Sequence, residues 1–359
     1  MSENFLSSLQ NFFLSSRVFF NLYENFFLIL GTIFLTLFGI FLVKKIFPKI
    51  GFLDNPKKFG YSRNPVPYPA GIIIPIIFFI IIFAIFPVSK QILGFFFASV
   101  ILVATSFFDD RYGLSPIFRL GIQALSAGII IASGIGISEV LSPIGGVLNL
   151  NIGGIEIFGH YFYPIADFLV FFWIIGMINS MNWADGVSGN TSGLAALSGW
   201  FLFFLAISPF VGQPDIAKMF LVFAVITTIF FFFDLEKPSV LIGDSGSMFL
   251  GFAIAVFAVF AGGKMATAMI VMGIPIFDAF YTIFRRIKNG QNPMKGDMEH
   301  FHHILLDKGF SRKNSVLIYI LLSASFGIPT IFLETEGKFI LLIILCVFMI
   351  FLEIFLRRK

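Results

Sequence analysis

The chain has little charge and almost no cysteine. Aspartate, glutamate, lysine and arginine make up 12% of its 359 residues, whereas 58% are hydrophobic. So few charges cannot cover the surface of a soluble domain of this size, and that class is excluded. Mean hydropathy is +0.95. The one cysteine, Cys346, lies in an apolar run, which excludes an internal disulfide and a cysteine-based metal site. No internal repeat or low-complexity linker interrupts the chain, and no small-residue cleavage site marks a signal peptide. The long segment from Ser138 to Tyr163 has no basic residue at all. The 53 phenylalanines carry no functional information by themselves.

What is present is a succession of apolar runs, at about 26–47, 70–88, 91–108, 117–137, 164–181, 191–209, 216–233, 246–262, 264–284, 314–333 and 339–356. Most approach the ~20 residues a helix needs to cross a bilayer. They predict an all-α fold, a polytopic integral membrane helix bundle of about 10–11 transmembrane helices. Residues 1–25 mix Ser and Asn with Phe and Leu, and read as an N-terminal interfacial segment on the outside. Residues 26–359 read as a single transmembrane domain. Lysine and arginine set its orientation. With residue 1 outside, nineteen of the 24 basic residues fall in inside segments and five outside. The Ser138–Tyr163 segment is then outside. The basic bias follows membrane topology and implies no nucleic-acid partner.

Several unusual polar segments fall on the inside. The stretch Phe107-Phe108-Asp109-Asp110-Arg111-Tyr112-Gly113-Leu114-Ser115-Pro116 joins two apolar runs. Adjacent carboxylates repel, and a bound cation is a common remedy. Ser115 is a good N-cap and Pro116 a good first helical residue. Acidic residues also flank membrane helices for no catalytic reason, so this pair alone does not define a site. The prolines and glycines between Gly51 and Gly71 forbid a continuous helix, which leaves a shaped basic loop, either solvated or in contact with substrate. In Asn179-Ser180-Met181-Asn182-Trp183-Ala184-Asp185, the residues Asn179, Asn182 and Asp185 are three apart and share one helix face. They serve either a ligand or helix–helix hydrogen bonding. The small-residue turn Gly243-Asp244-Ser245-Gly246-Ser247 opens an apolar run and presents free N–H groups, a setting for phosphate with Asp244 placed to hold a cation.

Three of the four histidines, His300, His302 and His303, lie within four residues in the basic loop that follows Arg285 and Arg286. No H-x-x-x-H spacing or cysteine supports zinc, so contact with phosphate or nucleotide is the better reading. Asp278 lies inside the preceding run, a functional candidate or a partner within the bundle. Carboxylates from separate loops therefore converge on one side. With phosphates as partners, Mg2+ suits them better than zinc, with Mn2+ as a substitute. The chemistry implied is phosphoryl transfer between a soluble nucleotide compound and a membrane lipid. A transporter or flippase of lipid-linked sugars is the alternative, but it would spread its charges along a cavity reaching both faces.

The same residues carry a resemblance. Leu53-Asp54-Asn55-Pro56 with Pro67 to Gly71, Phe108 to Arg111, Asn179 to Gly186, Gly243 to Ser247, Pro275 to Asp278 with Arg285-Arg286, and His300 to His303 occur in the order found in the polyprenyl-phosphate N-acetylhexosamine-1-phosphate transferases. The His-x-His-His form is most similar to the undecaprenyl-phosphate GlcNAc-1-phosphate transferases that initiate O-antigen or teichoic-acid linkage. The resemblance implies that a UDP-N-acetylhexosamine and undecaprenyl (polyprenyl) phosphate react to give a lipid-linked sugar diphosphate and UMP. It implies a bacterial inner membrane, a cytoplasmic-face site and Mg2+, and a homodimer is compatible with it. Asp109, Asp110 and Asp185 are then the expected catalytic residues, and Asp244 with Asp110 the expected metal ligands. Asn179, Asn182, Asn190, Arg285, His300, His302 and His303 are the expected substrate-binding residues. Two departures stand out. Where the family reads D-G-x-D-G, this chain has Asp185-Gly186-Val187-Ser188-Gly189, with Asn190 as the expected stand-in toward uracil. The first loop also lacks the family's histidine before its glycines.

Overall fold

Every one of the eleven apolar runs forms a helix in the computed structural model, which describes residues 16–59, 63–142, 146–157, 160–208, 211–260, 265–292 and 299–357. The helices are α1 (Ser16–Glu24), α2 (Phe26–Ile46), α3 (Ile73–Ile85, entered through a 3-10 turn at Ala70–Ile72), α4 (Lys90–Tyr112), α5 (Pro116–Ala132), α6 (Pro164–Trp183) and α7 (Asn190–Ile207). They continue as α8 (Pro214–Asp234), α9 (Gly243–Phe260), α10 (Met265–Val271), α11 (Gly273–Lys288), α12 (Phe301–Asp307), α13 (Arg312–Gly327) and α14 (Thr335–Arg357). Eight of the apolar helices are long and apolar enough to cross a bilayer alone, and the α10–α11 pair, bent by 77°, makes a broken ninth. Gly273 and Pro275 sit just past the break, where the helical ladder is weakest. The α3 and α5 segments are shorter. The chain is a multi-pass, all-α membrane protein.

Helix α9 is the axis of the bundle. Nearly all its side chains are buried, and it packs on α6 and α4. Phenylalanines fill the space around it, with Phe257 5.1 Å from both Phe220 and Phe223 and Phe252 5.6 Å from Phe95. The phenylalanines therefore build the core here, through edge and tilted ring contacts. The outermost helices are different. Along α14 only Leu345, Met349 and Glu353 are buried, flanked by partly buried Leu341, Leu342, Phe348, Leu352 and Leu356, and side chains such as Phe351 and Phe355 face outward as on a lipid-facing span.

The chain runs up and down, so the ends of α4, α6, α8 and α11 share one end of the bundle with the starts of α5, α7, α9 and α13. The long segment without basic residues is at the opposite end. It forms two antiparallel hairpins, Glu139–Leu141 with Val147–Asn149 and Ile155–Ile157 with His160–Phe162. Strands were not expected there. Val140, Val147, Ile155 and Ile157 are β-branched, which favours extended backbone once the chain leaves the apolar run. Of the expected interfacial segment, residues 1–15 lie outside the described residues. The rest is α1, which exposes Phe19, Phe20 and Tyr23.

Candidate active site

Asp110 is the node of the polar end. It closes α4, and its carboxylate accepts the N–H groups of Asp244 at 2.8 Å and Ser245 at 3.1 Å, so it caps α9 from a position 134 residues earlier. Tyr68 donates its hydroxyl to the same carboxylate. Three of its about four lone-pair sites are thereby committed. The first loop reaches this point by pairing with the approach to α9: the N–H groups of Ala70 and Gly71 donate to the carbonyls of Leu241 and Ile242 at 2.7 and 2.9 Å. Gly71 and Gly246 make the approach possible. A Cβ on Gly71 would meet the Cα of Gly246 at 2.6 Å. Asp54 is paired with Arg63, bracing the loop from behind.

Asp109, one residue earlier, faces a different partner. It accepts the Leu114 N–H at 2.6 Å and pairs with Arg119 at 3.0 Å. The same Arg119 reaches Asp244 at 3.4 Å. Asn182 donates to Asp244 at 3.0 Å and to the Ser247 hydroxyl at 3.1 Å. Asp244, with 30% of its side chain accessible, is thus held between an amide and a guanidinium. Tyr68 lies within the fields of Asp110, Asp244 and Asp185 together. Burial first, then those carboxylates, push its hydroxyl pKa up, so Tyr68 remains a proton donor to Asp110. Asp185, half-buried at the end of α6, completes the cluster.

A groove runs from this cluster between α5, α6 and α11. Arg119, Gln123, Asn179, Asn182 and Trp183 line its polar part, and the accessible Phe280 its apolar mouth. Asn179 is committed to the amide of Gln123, at 2.7 Å, and to the Ile175 carbonyl. Asn190 turns inward. It is fully buried, with its amide nitrogen on the Ala184 carbonyl at 2.8 Å, and so holds the turn after Asp185 closed. Asp234, at the end of α8, does the same from below by accepting the Gly189 N–H and the Ser192 hydroxyl, each at 2.9 Å.

The histidines form the other wall. Asp278 takes His300 Nδ1 at 2.9 Å and the Phe301 N–H at 2.9 Å, which seats the start of α12. The His300 ring lies 5.9 Å from Trp183, and Arg286 lies over the same indole at 5.6 Å. Trp183 therefore joins the two walls. His302 is 1% exposed, against Gly186, where a Cβ would stand 2.1 Å from its Nε2. Burial, then His303 and His300, drive its pKa well below the usual imidazole range, so it is neutral near pH 7. The His303 ring is 4.2 Å from His302. Arg285 lies away from Trp183, paired with Glu299 at 2.6 Å. Lys295, Asp297 and Met298 lie outside the described residues.

Several residues missed by sequence reasoning hold this site: Tyr68, Arg119, Gln123 and Asp234. Arg119 and Asp234 had a usable signal, being charges at the ends of apolar runs. Tyr68 and Gln123 had none. Among the described residues, no three His, Cys, Asp or Glu side chains are placed to hold a metal together. A hard cation that keeps waters and shares phosphate oxygens needs only one or two carboxylates, and the oxygen donors Asp244 and Asp185 fit that demand.

The carboxylates, arginines and histidines of this all-α membrane bundle are gathered at one end, beside a groove with an apolar mouth. The family model described as glycosyl transferase family 4 matches residues 92–262, the stretch from α4 to α9 that supplies the carboxylate wall. Over that stretch the chain is similar to that family. It is similar to a Bacillus subtilis (strain 168) protein named as a probable undecaprenyl-phosphate N-acetylglucosaminyl 1-phosphate transferase, 28% identical over 87% of this chain and 86% of that one. It is similar also to the undecaprenyl-phosphate alpha-N-acetylglucosaminyl 1-phosphate transferases of Salmonella typhi and Escherichia coli (strain K12). The first is 26% identical, over 79% of this chain and 77% of the relative. The second is 27% identical, over 85% and 83%.

Proposed function

We propose that the protein transfers an N-acetylhexosamine 1-phosphate, most simply GlcNAc 1-phosphate, from a UDP-sugar to undecaprenyl phosphate, releasing UMP. The reaction takes place at the cytoplasmic face of a bacterial inner membrane. The observation that carries this reading is the meeting of Asp244 with Arg119 and Asn182, which line the polar end of a groove whose other end is apolar. A phosphate on a long hydrocarbon tail is a ligand of that shape. The relatives' names supply its identity.

In this reading the lipid phosphate enters sideways between α5 and α11, and Arg119 and Asn182 meet it beside Asp244. A phosphate monoester is largely ionised near neutral pH, with a second pKa of about 6, so the site needs no strong base. We assign Asp185 to orient the attacking phosphate. Asp109 keeps Arg119 in place, and Asp110 keeps the start of α9 in place, so both act by positioning. His300, His303 and Arg286 face the donor's diphosphate, with His302 neutral and packed behind them. Asp244 and Asp185 are the residues that would hold magnesium, with manganese as a substitute. When bound, the ion neutralises charge between two anionic phosphates.

The test is UMP release in membranes from a panel of UDP-sugars, with and without undecaprenyl phosphate and with and without EDTA. Release that needs the lipid and one UDP-amino sugar, and that stops on chelation, is the expected result. Release that continues without the lipid would end the transferase reading.

A further inference from the structure

The least buried of the spanning helices carries a buried glutamate. Glu353 is 0% exposed, on the same stripe of α14 as Leu345 and Met349. A carboxylate among apolar side chains in a membrane helix is costly unless it is paired. Its partner is one turn on, where Arg357 Nε donates to Glu353 Oε2 at 2.6 Å.

Arg357 also reaches beyond its own helix. Its Nη2 donates to the backbone carbonyl of Glu299 at 2.8 Å, and its Nη1 lies 3.4 Å from the Glu299 carboxylate. The guanidinium sits over Tyr281 at 5.5 Å. Arg285 completes the set by pairing with the same Glu299 carboxylate at 2.6 Å. Glu299 immediately precedes His300. Asp278, Tyr281 and Arg285 lie at positions i, i+3 and i+7 of α11, on one face. His300 is thus fixed from two directions, by Asp278 on its ring and by Arg357 on the peptide just before it.

We propose that Glu353 and Arg357 form a strap by which the last helix positions the histidine wall. They are positioning residues that act through Glu299 on His300, and the proposal rests on reading that wall as the donor-facing half of the site. If the pair served only to anchor α14, it would need bonds to another helix. Apart from stacking on Tyr281, the contacts that Arg357 makes outside α14 are hydrogen bonds to Glu299, the residue that opens the histidine segment.

The test uses the full chain in lipid nanodiscs. The double variant E353L/R357L removes the buried pair and leaves an apolar helix face, so the bundle keeps its packing. We expect kcat/KM for the UDP-sugar to fall about tenfold, as for a displaced reacting group, with KM for undecaprenyl phosphate and the thermal midpoint unchanged. Hydrogen exchange in residues 299–307 should rise while exchange in 243–260 stays as in the wild type. Arg357→Lys, which keeps the charge and loses the fork, should fall between the two. Wild-type kcat/KM together with unchanged exchange at 299–307 would overturn the strap. So would exchange rising equally in 243–260, which marks a general anchor. If no UDP-sugar is turned over by the wild-type protein, the functional reading fails, while the exchange comparison still decides the strap.

Discussion

The two walls of the site are held in different ways. The carboxylate wall is joined through backbone: Ala70 and Gly71 pair with Leu241 and Ile242, and the first N–H groups of α9 end on Asp110. The histidine wall hangs on side chains, with Asp278 at one side and the Glu299–Arg357–Arg285 ion pairs at the other. Buried backbone bonds are costly to break, whereas partly exposed ion pairs are worth about 0–1 kcal/mol each. The carboxylate wall is therefore a fixed template, whereas the histidine wall is held on its inner side by the buried Asp278–His300 pair and only its outer side, at Glu299, rests on partly exposed ion pairs.

The largest effect should come from the fixed wall. Asp244→Asn is expected to lower turnover by about 10²–10³-fold, as for loss of a preorganised charge at a reacting phosphate. The thermal midpoint should hold, because the residue caps no core packing. A midpoint that falls with the activity would make Asp244 structural and erase the contrast. Next comes the seam between the walls. Gly186→Ala puts a methyl where His302 stands, so His302 must move, and turnover should fall about 10²-fold. A fall confined to stability would show that the seam is packing alone.

Tyr68→Phe should be milder. It removes one hydrogen bond to a carboxylate, a contribution of about 1.5–3 kcal/mol, but Asp110 keeps its two backbone donors. A drop of about tenfold in kcat with little change in donor KM is expected, 1.4 kcal/mol being tenfold. The smallest effect concerns pH. His302 has a folded-state pKa below its unfolded value of about 6.5, so the unfolded chain binds more protons just below that pH. Stability should therefore fall as pH drops below about 6.5, by about 1 kcal/mol per pH unit, and His302→Asn should remove this component. Equal midpoints for both proteins at pH 7.5 and 5.5 would count against a buried neutral imidazole.

Much of this was legible in the chain itself, because the membrane imposes long runs that periodicity need not resolve. The eleven runs and the side on which Asp110, Asp185, Asp244 and His300 fall required only apolar length and lysine–arginine bias. What escaped were partnerships across sequence. Nothing local in Pro67-Tyr68-Pro69 announces a hydroxyl aimed at Asp110, and nothing near Gln123 announces Asn179, 56 residues away. Asn190 was expected toward a nucleotide because it follows the departure at Ser188. The structure turns it inward, since a turn between two buried helices must satisfy its carbonyls. Arg285 and Arg286 look equivalent in sequence, but the 100° between successive helical residues sends one to Glu299 and the other to Trp183.

The cap that Asp110 places on α9 has a consequence in time. During synthesis Asp110 emerges 134 residues ahead of the N–H it will bind. At about 5–20 residues per second, that interval is about 7–27 seconds. Throughout it, α4 is already made while its carboxylates at the water boundary lack the donors that α9 will bring. The polar end of this bundle is thus completed only once α9 has been made, well after the helix that carries its first carboxylates.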